Sequence, residues 1–142
     1  MKIAWRYALD ADVGLLAEWN YQLIRDEGHR NPMTLGQLEG RMRGWLQGEY
    51  KAVIFSDGEP VSYALFKKEE HLIYLRQLFV RRDRRGCGVG REAFTILRDK
   101  VWPPNVRLTV DVLYQNTGAI AFWRSVGFRD YSLTLEIMPE RI

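Results

Sequence analysis

Val80-Arg81-Arg82-Asp83-Arg84-Arg85-Gly86-Cys87-Gly88-Val89-Gly90-Arg91 follows an apolar run, Leu72-Ile73-Tyr74-Leu75-Arg76-Gln77-Leu78-Phe79, and precedes a helical pattern that extends to about Trp102. The order is therefore strand, glycine-rich turn, helix start. Glycines at alternate positions let backbone N–H groups converge without Cβ clashes. The helix start adds unpaired donors and a partial positive charge. Together they form an anion site suited to phosphate. Arg81, Arg82, Arg84, Arg85 and Arg91 crowd this turn, and guanidinium groups match phosphate geometry. The glycines read G-x-G-x-G rather than the G-x-G-x-x-G of a dinucleotide fold, and the turn ends Gly-Arg-Glu rather than the Gly-Lys-Ser/Thr of a P-loop.

Arg85-Gly86-Cys87-Gly88-Val89-Gly90 resembles the Arg/Gln-x-x-Gly-x-Gly pyrophosphate loop of the GNAT N-acyltransferases. A second block, Asn116-Thr117-Gly118-Ala119-Ile120-Ala121-Phe122-Trp123-Arg124-Ser125-Val126-Gly127-Phe128, resembles that family's Asn-x-x-Ala … Gly-Phe segment. The likeness runs from about Tyr50 to Met138 and is looser before that. It implies one α/β domain over residues 1–142, with a mixed, mostly antiparallel sheet, splayed parallel strands four and five, and four flanking helices. It also implies acetyl-CoA as cofactor and direct transfer of the acetyl group to a primary amine, of a small molecule or a protein, through a tetrahedral intermediate. The competing reading is a module that binds or senses acyl-CoA without catalysis.

Composition sets outer bounds. The 142 residues, 46% apolar and 27% charged, suit a single globular domain. The net charge of +3 is mild, and the basic excess sits in one loop, which argues against nucleic acid. One cysteine rules out an internal disulfide and fits a reducing, cytoplasmic compartment. Cys87 reads as a small residue filling a tight turn. The first residues lack the apolar run of a signal peptide, and no span is long enough to cross a membrane. His29 and His71 lack ligand-spaced partners, so no metal is expected.

Along the chain, Ile3 to Leu9 reads as a strand, with Ile3, Trp5 and Tyr7 to one side. Asp10 or Asp12 then caps a helix running to about Asp26, and Gly28 and Pro32 break it. Thr34 caps a second helix that ends at Gly48. Lys51–Ser56 and Pro60–Lys67 form a hairpin about Asp57-Gly58-Glu59. His71–Val80 is the fourth strand and Val89–Trp102 the third helix, stopped by Pro103-Pro104. Arg107–Tyr114 is the fifth strand, Asn116–Val126 the fourth helix, and Tyr131–Met138 a last strand. The crossover between the fourth and fifth strands implies parallel pairing. The resembled family often has a further C-terminal strand, so the resemblance implies that the last hairpin is shortened, absent or supplied by a partner; a homodimer is compatible with the sequence.

The resemblance places the cofactor on the amides of Gly86, Cys87, Gly88, Val89, Gly90 and Arg91, with Arg85 beside them. Its pantetheine would run along the backbone of Leu78, Phe79 and Val80. A fourth-strand N–H would polarise the thioester carbonyl. Asn116 matches the family's helix-start asparagine and also suits an N-cap. The family's general-acid tyrosine falls at Trp123, which reads as core packing, so Tyr114 or water would protonate the leaving thiolate. The position of a strand-four glutamate base falls at Tyr74, a residue able to orient a water. Asp26 and Glu27, with Gln22, would face the cationic amine, and either acid could bind or deprotonate it. Strict alternation puts Tyr74, Arg76 and Leu78 on one face of the fourth strand and Ile73, Leu75, Gln77 and Phe79 on the other.

Overall fold

Alternating apolar residues build a five-stranded sheet in this computed structural model, which describes residues 2–140. The strands are β1 (Ala4–Tyr7), β2 (Tyr50–Asp57), β3 (Glu59–Lys68), β4 (Leu72–Val80) and β5 (Arg107–Val110), and they lie side by side in chain order. β1 to β4 pair antiparallel, while β4 and β5 are parallel, as the helical crossover between them requires. Gly58 turns the β2–β3 hairpin with φ +78°, a conformation that favours glycine.

Both faces of the sheet are covered. On one face α1 (Val13–Glu27) and α2 (Leu35–Gln47) bury Val13, Leu16, Trp19, Leu23 and Met42 against Ile54, Tyr63, Leu65 and Phe79. On the other, Ala93, Phe94 and Leu97 pack on Val53, Phe55, Phe66, Ile73 and Leu75. They belong to α3 (Val89–Ile96) and the turn after it, and α4 (Thr117–Ser125) adds Trp123 to the same core. Full burial of side chains of this size contributes about 1.5–3 kcal/mol each. The mixed sheet with parallel β4 and β5, between four helices, is the architecture the sequence implies.

Local signals set most boundaries. Thr34 caps α2 reciprocally: its Oγ1 accepts from Gln37 N (3.2 Å), and Gln37 Oε1 accepts from Thr34 N (2.9 Å). Gly28 ends α1 in the left-handed region, and His29 N donates back to Ile24 O at 3.0 Å. Asp12 holds the N-cap position of α1, but its carboxylate accepts from Leu9 N and from both ends of the Arg6 guanidinium instead of capping the helix.

Four expectations need correction. β1 spans Ala4–Tyr7 rather than Ile3–Leu9. α3 gives way after Ile96 to a π turn, Leu97–Val101, closed by Trp102 N donating to Leu97 O at 2.8 Å. That wider turn swings Trp102 into edge contact with Phe66 and Phe94, a packing gain that outweighs regular helix geometry. β5 stops at Val110 rather than Tyr114 because it parts from β4 there. Tyr131–Met138 forms no strand in the chain itself; its backbone pairs with nothing among the described residues, and Tyr131, Leu133, Leu135 and Ile137 face solvent.

Candidate active site

The site begins with one extra residue in β4. Leu65 pairs with Gln77 and Phe66 with Leu75, so Arg76 is bulged out of the ladder. The bulge reverses the phase of the strand. Arg76 and Gln77 both turn to the α1/α2 face: Arg76 lies over Trp45 and Tyr50, and Gln77 Oε1 accepts from the Tyr63 hydroxyl at 2.7 Å. Leu78 rejoins the core on the other face. Strict alternation therefore misplaces Gln77, Leu78 and Phe79 relative to Ile73 and Leu75, since periodicity carries no signal for an inserted residue. Arg76 and Gln77 meet aromatic rings and a phenol there.

The bulge also frees an edge. β4 and β5 pair only from Leu72 with Arg107 to Leu75 with Val110. Beyond that point β5 has ended, and Gln77 to Val80 have no strand beside them on that side. A wedge opens there, walled by the backbone of Leu78, Phe79 and Val80. The chain then passes through a 3₁₀ turn at Arg82–Arg84 into the glycine loop. Gly86 and Gly88 take φ +75° and +89°, which L side chains rarely adopt, and α3 starts at Val89. The first helical bond is Glu92 N to Gly88 O at 3.0 Å. Among the described residues, the amides of Gly86 to Arg91 donate to no acceptor, which leaves a donor cluster at a helix start next to the wedge.

Most of the loop's arginines are already paired. Arg81 bonds Asp83 and Glu59, Arg84 bonds Asp57, and Arg82 and Arg85 both bond Asp26 at the end of α1. Arg85 Nε also donates to Val80 O at 2.8 Å. Arg91 alone of the five has no carboxylate partner among the described residues, and donates to Ser125 Oγ at 2.9 Å. The expected crowd of free guanidiniums is thus largely neutralised, and the backbone amides are the open donors. The Cys87 thiol donates to Arg84 O at 2.8 Å and tightens the turn.

The acids divide sharply. Burial alone would raise the Asp26 carboxyl, but hydrogen bonds and charge from Arg82 and Arg85 outweigh it and hold it below the usual carboxylate range. Burial raises the Glu27 carboxyl; His29, 3.1 Å away, pulls it back only in part, and Asp26 adds to the rise. The two adjacent acids therefore differ: Asp26 braces the loop, and Glu27 retains affinity for a proton. Tyr74 is pushed up to about 12 by burial and by its hydrogen bond to Asp111 (2.9 Å), so it stays a neutral phenol. Tyr114 is 81% exposed in the turn between β5 and α4. Asn116 caps α4 by accepting from Ala119 N at 3.2 Å. Trp123 packs edge-on against Phe94, Phe122 and Phe128 as a core residue.

The structure brings together residues that the sequence did not single out. Asn20, 1% exposed, lies beside Arg41, and Tyr63 bridges towards Gln77. Asn20 sits within the apolar stripe of α1, and a buried amide inside such a stripe was the signal available.

A parallel strand pair that parts beside an open amide loop offers a site for a ligand with a phosphate group. The Acetyltransferase (GNAT) family model matches residues 16–128, and the chain belongs to that family. It is 30% identical over 94 residues to the peptidyl-lysine N-acetyltransferase YjaB of Escherichia coli (strain K12). That match covers 66% of this chain and 58% of YjaB, so the chain spans less than two thirds of that relative. An acetyltransferase from Thermus thermophilus superposes with a TM-score of 0.75 at 25% identity, over 91% of this chain and 88% of that one. An acetyltransferase from Clostridium acetobutylicum, solved with acetyl-CoA, superposes with a TM-score of 0.72 at 14% identity over 96% of each chain. Among the described residues no helix is long and apolar enough to cross a membrane, and no three His, Cys, Asp or Glu side chains gather as metal ligands.

Proposed function

We propose that this chain is an acetyl-CoA-dependent N-acetyltransferase acting directly on a primary amine of a small molecule or a protein. The observation that carries the reading is the open edge of β4 from Gln77 to Val80 beside the unpaired amides of Gly86 to Arg91. Bound acetyl-CoA supplies an activated thioester. The loop amides hold its diphosphate, and the backbone of Leu78, Phe79 and Val80 aligns its amide-bearing arm as an added strand would. A β4 N–H in the wedge stabilises the developing oxyanion. Glu27, at the end of α1, accepts the amine's proton, directly or through a water. Tyr74, fixed by Asp111, orients that water. Tyr114 or solvent returns a proton to the leaving thiolate, and Asn116 sets the start of α4 beside it. Its single cysteine suits a cytoplasmic setting.

Acceptor-dependent thiol release from acetyl-CoA across a panel of amines tests the reading. Tight cofactor binding without such release would make the chain a sensing module instead. Gly88→Trp places a bulky residue at φ +89° in the loop and is expected to abolish the calorimetric heat of coenzyme A binding. Undiminished heat would dismiss the loop as the diphosphate site.

The chain is also proposed to act as a homodimer. In the segment from Tyr131 to Met138 the apolar residues Tyr131, Leu133, Leu135 and Ile137 alternate with Ser132, Thr134 and Glu136, the pattern of a strand with one apolar face. Tyr131 lies under the Arg107 guanidinium (4.8 Å) at the start of β5, and Glu136 meets Arg30 (2.9 Å) beyond the end of α1. Asp26 of that helix end bonds Arg82, just past β4, so the segment runs in the same sense as β4 and β5. A copy related by a two-fold axis perpendicular to the strands would run in the opposite sense and fit the free outer edge of β5 as an antiparallel strand.

A further inference from the structure

Two guanidiniums on the α1/α2 face have no carboxylate partner among the described residues, in contrast to the arginines of the loop. Arg41 lies over the Trp45 ring at 4.3 Å, and Arg76 over the same ring at 4.7 Å. Arg76 Nη1 donates to the Tyr50 hydroxyl at 3.4 Å, and Arg41 Nη2 to Asn20 Oδ1 at 3.0 Å. The remaining donors of this group are orphaned: Arg41 Nε and Asn20 Nδ2 are enclosed and meet no acceptor in the protein. Burial, and then the charge of Arg76, push the Arg41 pKa down. Like charges and unsatisfied buried donors are costly unless an acceptor anion completes them.

We infer that Arg41, Arg76 and Asn20 form an anion subsite that binds a carboxylate carried by the amine acceptor. Planar guanidinium forks match a carboxylate bidentately, and the buried Asn20 amide adds a directed neutral donor. The subsite adjoins the strand that carries the proposed acyl-transfer edge. Arg76 is the bulged residue next to Gln77, and Gln77 accepts from Tyr63, whose hydroxyl feels both Glu27 and Arg41. Asn20 and Glu27 share a face of α1, seven residues apart, which is about 10 Å along the axis. An extended peptide covers that span in about three residues. The acceptor class is therefore an amino-carboxylate whose two charged groups are separated by several bonds, such as a short peptide or an ω-amino acid, with the amine at Glu27 and the carboxylate at Arg41 and Arg76.

This inference rests on the transferase reading for its catalytic test and is independent of it for binding. Triglycine and ε-aminocaproate are compared with their carboxamides, first as acceptors and then, with coenzyme A present, as ligands that shift the thermal midpoint. The carboxylates are expected to exceed their carboxamides by about tenfold or more in kcat/KM, the value of a charge-assisted hydrogen bond. Arg76→Gln is expected to bring the carboxylate down to the carboxamide's level without changing coenzyme A affinity; Arg76 is exposed, so the variant should fold. Arg41→Lys keeps the charge and should retain part of the preference, where Arg41→Gln loses it. Equal use and equal midpoint shifts for carboxylate and carboxamide would overturn the subsite, as would a preference indifferent to Arg76→Gln or a stronger one for phosphoethanolamine. If no amine turned over but the carboxylates alone shifted the midpoint, the transferase reading would fail and the subsite would stand.

Discussion

Asp26 and Glu27 are neighbours in the chain and opposites in chemistry. Asp26 faces two arginines, 56 and 59 residues further on, and stays ionised. Glu27 points one side-chain position away and loses water, and the His29 imidazole, with a smaller effect from the Arg85 charge, offsets the loss only in part. The raised carboxyl is the better base, because proton affinity closer to working pH favours transfer. The expected pH dependence follows from that direction. Below the raised Glu27 pKa the carboxyl holds its proton and cannot take the amine's, so kcat/KM climbs as pH rises through it. Glu27→Gln should lower kcat by roughly 10²–10⁴-fold, the usual worth of a positioned base, and should flatten that acid limb. A variant with the same limb would place the base elsewhere. Nothing in the local sequence separates these two acids; their difference lies in partners that reach them only in the folded chain.

At the scale of elements, capping and bulging matter in different ways. Thr34 and Gln37 close the start of α2 with side chains three residues apart, and that spacing is readable from the sequence. Thr34→Ala is expected to cost about 1 kcal/mol of stability, measured as a lower urea midpoint at unchanged slope. A loss below a few tenths would mean that water replaces the cap. The bulge at Arg76 is not readable in this way. A run of nine residues looks like one continuous strand, and its register is decided by packing on both faces. That single inserted residue turns Arg76 and Gln77 towards α1 and α2, and β4 leaves β5 directly beyond it. The element most regular in sequence therefore provides the cleft.

The whole molecule balances its charges unevenly. Acids drawn from α1, the β2–β3 turn and the loop itself neutralise four loop arginines. This keeps the glycine loop from becoming a general polyanion surface. The C-terminal segment is the other feature of this scale: Tyr131 is 84% exposed, Leu135 83% and Ile137 99%, an apolar strand face without a sheet in its own chain. Light scattering on purified protein is expected to give a dimer mass, and deletion after Asp130 or Leu135→Glu a monomer. A monomeric wild type, or a dimer that survives both changes, would remove the strand-exchange proposal.

By itself the sequence determined the parts: the glycine-rich turn between β4 and α3, the order of the elements up to α4, the family, and the packing role of Trp123. These depend on local preference and on periods of two and 3.6 residues, which any stretch carries with it. Only the tertiary structure decided that β4 bulges and leaves β5, that Asp26 braces the loop while Glu27 meets His29, and that Arg41 bonds Asn20 and shares the Trp45 ring with Arg76. It alone left Tyr131–Met138 unpaired. Each of these is a contact between residues far apart in the chain, and such contacts are set by competition among burial, charge and register that no local pattern records.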